Sequence, residues 1–357
     1  MKIALVTDQH FGVRGDSLEF VEYYRRFYSE VCIPYLLEHN ITTVIDLGDT
    51  FDRRKYVNLM TLKAARDMWF GELEKHNIVL HTLVGNHTMY YRNTSEVNTL
   101  DLLLNSYKNI TVYKEPSVTS FDGCDILMMP WIHSGNREKC FDIIANTSAQ
   151  VLFGHLEIQG IEMHRGMVSH DGYDKSPFDK FDVVASGHYH TKTTTGNIHY
   201  LGTAYEMTWI DYDDPKGFHI FDTETREFTR VPNPLKMFHK VWYDDENMAL
   251  DEVIARDFTN LKDSYVKVII QNKTNPYWFD LWLGKIYEAK PIEVTIVEDH
   301  KNMDTLSDDD IINNAEDTLT ILTNYVKVVE SKVNKNDLDN LMRSLYNEAI
   351  NMETDTV

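Results

Sequence analysis

Seven side chains of the kinds that bind metal ions each follow closely on a short apolar run. They are Asp8, His10, Asp49, Asn86, His155, His188 and His190. Carboxylate, amide and imidazole ligands without sulfur suit Mn²⁺, Fe or Zn²⁺ better than Ca²⁺, which prefers shells made of oxygen alone. Seven ligands are too many for one ion, whereas two ions that share a carboxylate would use them all. Such centres act on phosphate esters or peptides, so the set predicts a hydrolytic site with two metals.

Two ligand pairs have the same spacing of two residues, Asp8 with His10 and His188 with His190. On an extended backbone, residues at this spacing point to the same side of the chain. We therefore expect each pair to face one site.

His87 comes directly after Asn86 and is expected to lie near the metals without necessarily binding them. An imidazole, with an ordinary pKa of about 6.5, can stabilise charge on a phosphoryl oxygen or protonate the leaving oxygen. Such acid catalysis contributes about 10²–10⁴-fold. The nucleophile would be a hydroxide held by the metals. His87 is therefore the predicted catalytic residue.

The apolar runs that precede these side chains predict the strands that position them. They begin at Ile3, Val44, Leu83, Val151 and Val183. Their length and their Val, Ile and Leu content are typical of buried strands. Helical patterns lie between them, at Leu59 to His76 and Thr99 to Tyr107. Alternating strands and helices indicate a layered α/β domain, in which the carboxyl ends of neighbouring strands open onto a common crevice.

The remainder of the chain predicts two further parts. Val231-Pro232-Asn233-Pro234 is a candidate boundary, because two prolines close together interrupt regular structure. The pattern over residues 236–300 predicts a small α+β unit, and 301–357 predicts an acidic linker followed by C-terminal helices. The expected organisation is therefore a catalytic domain over 1–235, a capping domain over 236–300 and a helical tail over 301–357.

The charge balance at first argues against a polyanionic partner. The chain has 35 Lys and Arg against 56 Asp and Glu, a net charge of −21. However, exposed charges are screened beyond about 8–10 Å at physiological salt, so a phosphate responds mainly to the charges that line its site. Two divalent ions on two carboxylates would leave a local surplus of positive charge that could hold a phosphodiester.

Cysteine content and apolar runs predict the compartment. Three cysteines without a C-x-x-C pair indicate neither a disulfide framework nor a thiolate zinc site. The apolar run from Ile126 to Ile132 is far shorter than the roughly 20 residues of a membrane helix. The stretch from Ile3 to Val6 is too short for the core of a signal peptide, about 7–15 residues. We therefore expect a cytoplasmic protein without a membrane segment.

The same motifs carry a family resemblance. They are, in chain order, Asp8-Gln9-His10, Gly48-Asp49, Gly85-Asn86-His87, Gly154-His155 and Gly187-His188-Tyr189-His190. Together they resemble the five motifs of the calcineurin-like metallophosphoesterase superfamily, over roughly residues 1–230. Gly48-Asp49-Thr50-Phe51-Asp52 and Lys216-Gly217-Phe218 are similar to the nuclease subunit of the SbcCD type, in particular to its version in T-even-type phages.

The resemblance implies a layered sandwich of two mixed β-sheets flanked by helices, and it implies a role for each ligand. Asp8, His10 and His190 would hold the first metal, and Asp49 would bridge. The second metal would be held by Asn86, His155 and His188, with His87 acting on the scissile phosphate. The metal would be manganese, with magnesium as the alternative.

The resemblance also implies partners and an activity. The substrate would be DNA, attacked as a double-strand exonuclease and a single-strand endonuclease in recombination and repair. The partner would be a coiled-coil ATPase of the SbcC type, bound by the C-terminal helices, and the chain would be a homodimer within a heterotetramer. A phosphate-binding G-x-x-x-x-G-K-[ST] loop is absent from this sequence, so ATP dependence would come from the partner.

One departure from the family pattern leaves alternatives open. Thr88 follows His87 where the family usually has Asp, so the carboxylate that commonly orients this histidine is missing from its expected place. Thr88 itself, or Asp52 from a neighbouring loop, could take over that part. The alternatives are a phosphatase or cyclic-nucleotide phosphodiesterase on the same site, and a catalytically weakened scaffold for the ATPase.

Overall fold

The computed structural model describes residues 1–164, 167–246 and 249–298, with isolated positions at 326, 334, 335, 338, 341, 342 and 345. These residues form two compact units. The first consists of Met1–Tyr205 and Asp213–Leu235, and the second consists of Glu206–Tyr212 and the described residues from Lys236 onward.

The strands are, in chain order, β1 (Lys2–Val6), β2 (Thr43–Asp46), β3 (Val79–Leu83), β4 (Ile110–Tyr113), β5 (Ser117–Phe121), β6 (Cys124–Met129), β7 (Val151–His155), β8 (Glu162–His164), β9 (Met167–Val168), β10 (Val183–Gly187), β11 (Thr193–Thr195), β12 (Ile198–Tyr200), β13 (Gly217–Asp222), β14 (Phe228–Pro232), β15 (Phe238–Asp244), β16 (Tyr265–Asn272) and β17 (Glu293–Val297). The helices are α1 (Val13–Asp16), α2 (Leu18–Arg26), α3 (Ile33–Glu38), α4 (Leu59–Ala65), α5 (Gly71–Lys75), α6 (Thr99–Leu104), α7 (Arg137–Asn146), α8 (Leu250–Ala255) and α9 (Pro276–Glu288). Two π-helical turns, Phe27–Cys32 and Arg66–Phe70, join α2 to α3 and α4 to α5.

Two six-stranded mixed sheets form the first unit. One has the order β14-β13-β1-β2-β3-β4 and the other the order β11-β12-β10-β7-β6-β5. In the first sheet β1 to β4 are parallel, and in the second β12, β10, β7 and β6 are parallel. All five strands that precede the predicted ligands therefore point their carboxyl ends the same way within their sheet.

Apolar side chains from both sheets meet in one core. Leu5 and Ile45 of the first sheet belong to the same buried cluster as Phe153 and Ala185 of the second, and none of them is exposed. These residues alternate along each strand, which places one face of each sheet against the other. A second buried cluster packs α7 on the outer face of the second sheet. The predicted layered α/β sandwich of two mixed sheets flanked by helices is confirmed.

The helices of the first unit begin at polar caps that the sequence supplies. Ser17 accepts a hydrogen bond from the N–H of Phe20 at the start of α2, and Asn58 accepts one from Met60 at the start of α4. Such caps satisfy backbone donors that have no partner inside the helix. The predicted helix from Leu59 to His76 is present, with one π-helical turn in its middle.

The second unit contains a parallel sheet of order β15-β16-β17 with α8 and α9. Its core is formed by residues such as Tyr243, Val268 and Trp282, which are fully buried. These strands and helices lie within residues 236–300. The tail predicted over 301–357 lies outside the described residues, apart from the isolated positions named above.

Among the helices of the described residues, none has the length and apolar character needed to cross a membrane.

Candidate metal centre

Histidine and aspartate side chains of the predicted set form two groups, in each of which the candidate ligand atoms lie within 4.8 Å of one another. The groups are Asp8, His10 and His190 on one side and Asp49, His155 and His188 on the other. Asn86 belongs with the second group, because its Oδ1 lies 3.0 Å from His155 Nε2. The structure thus brings all seven predicted ligands together, and the arrangement fits a dinuclear metal centre.

Hydrogen bonds between the ligand loops continue beyond the ends of the strands. Asp8 donates its N–H to the Gly48 carbonyl at 3.0 Å, and His10 donates to the Asp49 carbonyl at 2.9 Å. The N–H of His188 donates to both carboxylate oxygens of Asp8, at 3.0 Å each. The two ligand groups therefore lie side by side in one set of connected loops.

The expectation that Asp8 with His10 and His188 with His190 lie on extended backbone is wrong. Asp8 (φ 50°), His10 (φ 45°) and His188 (φ 85°) all have left-handed rather than extended backbone, which is uncommon for residues with a side chain. Asp8 and His10 still meet in one group, but His188 and His190 enter different groups. Tertiary hydrogen bonds between loops, rather than local spacing, set these orientations.

The orientation of the His155 ring is fixed by a bond to the backbone. Its Nδ1–H donates to the Leu47 carbonyl at 2.8 Å, which leaves Nε2 pointing at the ligand cluster. There it lies 3.0 Å from Asn86 Oδ1 and 3.1 Å from Asp49 Oδ2. A histidine that binds a metal through one nitrogen is usually held by such a bond from the other nitrogen. Three ligand atoms therefore converge on one point.

The charges of this cluster favour a cation. Burial would lower the pKa of the His155 ring, but the Asp49 carboxylate raises it to about 9. Burial would raise the pKa of Asp49, yet the nearby rings of His155, His87 and His10 hold it below its ordinary range. An ionised carboxylate that stabilises positive charge in a buried position is what a metal ion requires.

The His188 ring provides an independent test of whether a metal fits. Its Nδ1 is buried without a hydrogen-bond partner among the described residues. The ring also packs against Trp131, with centroids 5.0 Å apart. A buried polar atom without a partner costs about 1–3 kcal/mol, which coordination would remove. The donor set of nitrogen and oxygen atoms without sulfur therefore fits two divalent ions.

Two glycines permit the close packing of the ligand side chains. A Cβ on Gly48 would lie 2.6 Å from His155 Nδ1, and the φ of Gly48, 108°, is one that residues with a side chain rarely adopt. A Cβ on Gly85 would lie 2.2 Å from Asp49 Oδ1. Both positions therefore exclude larger residues because ligands occupy the space.

A buried carboxylate below the centre supports the loop that carries Asp49. Asp46 accepts hydrogen bonds from Thr50 Oγ1 at 2.6 Å, from Thr82 Oγ1 at 3.1 Å and from the Gly48 N–H at 3.1 Å. Burial raises the pKa of Asp46 to about 7. Asp46 was not among the predicted site residues, and its part is to hold the loop rather than to bind an ion.

The orientation of His87 does not depend on Thr88. His87 Nδ1–H donates to the backbone carbonyl of Asp52 at 2.6 Å, which fixes the ring with Nε2 on the side away from that bond. Thr88 instead donates its hydroxyl to the Gly85 carbonyl at 3.1 Å and so closes its own turn. The Asp52 carboxylate lies 3.2 Å from His10 Nδ1. Asp52 therefore takes over the orienting part through its backbone.

Three residues of the site were left out of the predicted set. Asp52 forms a third group of candidate ligands with His10 and His87. Thr7 donates its hydroxyl to Asp8 Oδ2 at 2.5 Å, and Trp131 packs on the histidine rings. The sequence indicated Asp52 only as a residue that could orient His87, although its carboxylate follows Asp49 closely enough to suggest a ligand as well. Trp131 lies on a loop that carries no predicted ligand, so no spacing indicated it.

Comparison with known proteins identifies subunits of nucleases as relatives of this chain. The chain is 35% identical over 270 residues to Exonuclease subunit 1 of Enterobacteria phage T4, which covers 76% of this chain and 77% of the relative. It is 22% identical over 207 residues to the SbcD component of the nuclease SbcCD of Staphylococcus saprophyticus, covering 53% of this chain and 55% of the relative. No family model matches the sequence. The resemblance inferred from the motifs is confirmed by these relatives.

Among solved structures, the chain is similar to a dimetal phosphatase from Danio rerio. The two share 12% sequence identity with a TM-score of 0.35, over 62% of this chain and 91% of the other.

Proposed function

We propose that this chain, which belongs to the family of phage T4 Exonuclease subunit 1, is a metal-dependent nuclease that hydrolyses phosphodiester bonds in DNA. The observation that carries the proposal is the position of Asp49. Its Oδ1 accepts the His87 N–H at 2.8 Å, while its Oδ2 lies 3.1 Å from His155 Nε2. One carboxylate thus contacts both the ligand cluster and the backbone of the predicted catalytic histidine, which supports a site where His87 acts beside two metals.

Seven residues would hold two divalent ions. Asp8, His10 and His190 would bind the first, Asn86, His155 and His188 the second, and Asp49 would bridge. We propose manganese, with magnesium as the alternative. Bound there, the ions supply Lewis acidity to the phosphoryl group and lower the pKa of water.

His87 would act on the substrate itself. Because its Nδ1–H is bonded to the Asp52 carbonyl, its Nε2 is the nitrogen that addresses a phosphoryl oxygen or the leaving oxygen. An imidazole in this place donates a proton or a hydrogen bond as negative charge develops, a contribution of about 10²–10⁴-fold. His87 is therefore the proposed catalytic residue.

We propose partners and domain roles by analogy with the family. We propose double-strand exonuclease and single-strand endonuclease activity in recombination and DNA-end processing, in the cytoplasm of a host cell. The partner would be a coiled-coil ATPase of the SbcC type, with the chain as a homodimer within a heterotetramer. Residues 236–300 would cap the site and contact DNA, and residues 301–357 would bind the ATPase.

Cleavage of labelled linear duplex DNA and of single-stranded circles in Mn²⁺ tests the proposal. Asp49→Ala and His190→Ala should abolish cleavage while the fold survives, and Asp125→Ala, at an exposed position of β6, is the matched control. Full activity of Asp49→Ala would contradict the proposal. So would a native protein that hydrolyses p-nitrophenyl phosphate but leaves DNA intact, which would favour the phosphatase alternative. Equal, near-background DNA cleavage by native protein and His87→Ala would favour the scaffold.

A further inference from the structure

A cluster of basic side chains lies at one edge of the sandwich, apart from the metal ligands. It consists of Lys192, His199 on β12, His219 on β13 and Arg230 on β14, and is called the edge cluster below. Two strands of the first sheet and one strand of the second contribute to it. Two of its members, Lys192 and Arg230, are cations in a chain with a net charge of −21.

The geometry places His199, His219 and Arg230 together between the sheets, while Lys192 is exposed and near enough to add to the effect of burial in lowering the pKa of both histidines. His219 and Arg230 are directly paired across β13 and β14, so their Cβ atoms are neighbours. The rings of His199 and His219 both lie against Phe228, with centroid distances of 5.1 Å and 6.5 Å. Phe221, two residues after His219 and therefore on the same face of β13, packs on a ring of the opposite sheet. The edge cluster thus faces the interior of the sandwich.

The innermost groups of the edge cluster are buried polar atoms without partners. His219 is 2% exposed, and neither Nδ1 nor Nε2 has a hydrogen-bond partner among the described residues. The same holds for Nε of Arg230, whose guanidinium otherwise donates to the Pro215 carbonyl. Native interiors rarely leave polar atoms unpaired, and a ligand or an ordered water at this place would satisfy all three.

The electrostatic surroundings indicate the sign of that ligand. Burial together with the charges of Arg230 and Lys192 and the nearby His199 lowers the pKa of His219 to about 3. Asp214 partly offsets the charge of Arg230, but its carboxylate is itself 2.8 Å from Lys216 Nζ. Asp214 thus compensates Arg230 only in part, and an anion beside Arg230 and Lys192 would meet positive charge.

We propose that the edge cluster binds a phosphate group. Arg230 would donate to it from the interior and Lys192 from the exposed rim, with His219 donating from the buried end. The group is either free phosphate or a phosphate of a bound nucleic-acid strand. Lys192 lies two residues after the proposed metal ligand His190, which favours a nucleic-acid strand as the source of the phosphate. This choice of source rests on the proposed function.

Calorimetric titration of the full chain with inorganic phosphate in EDTA tests the site, because phosphate then cannot bind through metal ions. Arg230→Gln and Lys192→Gln should each weaken binding about tenfold or more, as expected for charged hydrogen bonds. The matched control is Arg226→Gln, which removes one charge from the same hairpin but at an arginine bonded to Asp182 and Gln150. His219→Leu, which removes the unpaired polar atoms, should fold and also lose phosphate.

The outcomes separate the site from the nuclease. Absence of phosphate binding, or equal loss in Arg226→Gln, overturns the edge cluster as an anion site whatever the nuclease assay shows. If phosphate binds, KM for duplex DNA in Mn²⁺ identifies the source. An increase in KM with unchanged kcat in Arg230→Gln supports a strand phosphate, and an unchanged KM supports free phosphate. If DNA is not cleaved at all, the calorimetric result still decides the site.

Discussion

Substituting Gly85 by alanine tests how closely the ligand side chains are packed. The added Cβ would lie 2.2 Å from Asp49 Oδ1 and 2.6 Å from the Asp49 nitrogen. Ordinary contact begins near 3.4 Å, so the two groups must separate by about 1.2 Å. Metal sites tolerate only about ±0.2 Å in ligand distance, and a misplacement of about 1 Å in a catalytic centre costs about 10²-fold. We therefore expect Gly85→Ala to lower kcat/KM for duplex DNA by about 10²-fold.

The assay measures Mn²⁺-dependent cleavage of linear duplex DNA together with calorimetric Mn²⁺ affinity, which should fall by about 10–100-fold. Gly284→Ala is the control, because a Cβ there meets nothing within 4 Å and α9 should gain about 1 kcal/mol from the better helix former. Thermal unfolding verifies that both variants fold. A folded Gly85→Ala with native activity and native Mn²⁺ affinity would refute the reasoning that the Asp49 carboxylate is a ligand and lies directly against Gly85.

Three further predictions concern catalysis, metal binding and pH. His87→Gln should lower kcat by about 10²–10⁴-fold while calorimetry shows Mn²⁺ affinity little changed, and an unchanged kcat would remove His87 from catalysis. Mn²⁺ at about 100 times its Kd should add about 2.7 kcal/mol to the free energy of unfolding of the metal-stripped chain, measured in urea, and no gain would contradict a folded-state site. Unfolded His219 takes up a proton as the pH falls below about 6.5, but folded His219, with its pKa lowered to about 3, does not. In phosphate-free buffer the free energy of unfolding should therefore fall by about 2 kcal/mol from pH 7 to pH 5 through this residue, and His219→Leu should remove that part of the slope. An identical slope in the variant would show that His219 is not held neutral.

The sequence predicted the elements of the first unit well, because the polar motifs follow apolar strands directly. The strand before Gly48-Asp49 and the one before Gly154-His155 are recognisable from a few residues, and parallel pairing places the end of each beside that of its neighbour, β1 and β10 respectively. The orientation of individual ligands was not predictable from strand patterns, and only the family resemblance assigned His188 and His190 to different metals. His188 enters a different group from His190 because its backbone N–H bonds to the Asp8 carboxylate, a contact between residues 180 positions apart.

Other features depend on contacts that spacing cannot reveal. The segment Glu206–Tyr212 belongs to the second unit although residues on both sides of it belong to the first. Within that unit, Glu206 accepts hydrogen bonds from the N–H groups of Met237 and Phe238, at 2.7 Å and 3.0 Å. The local sequence pattern indicated only the boundary near the two prolines. The contact that joins this segment to β15 is made by Glu206, about thirty residues before β15 in the chain, and such a distant contact leaves no local pattern.

The most direct test of the central claim is to count the ions in the folded protein. Crystals soaked in Mn²⁺ and measured at the manganese absorption edge should show two anomalous peaks about 3.5–4 Å apart, with Asp49 between them. The first peak should be bound by Asp8, His10 and His190, and the second by Asn86, His155 and His188. A single peak, or histidine rings without an ion beside them, would contradict the dinuclear centre.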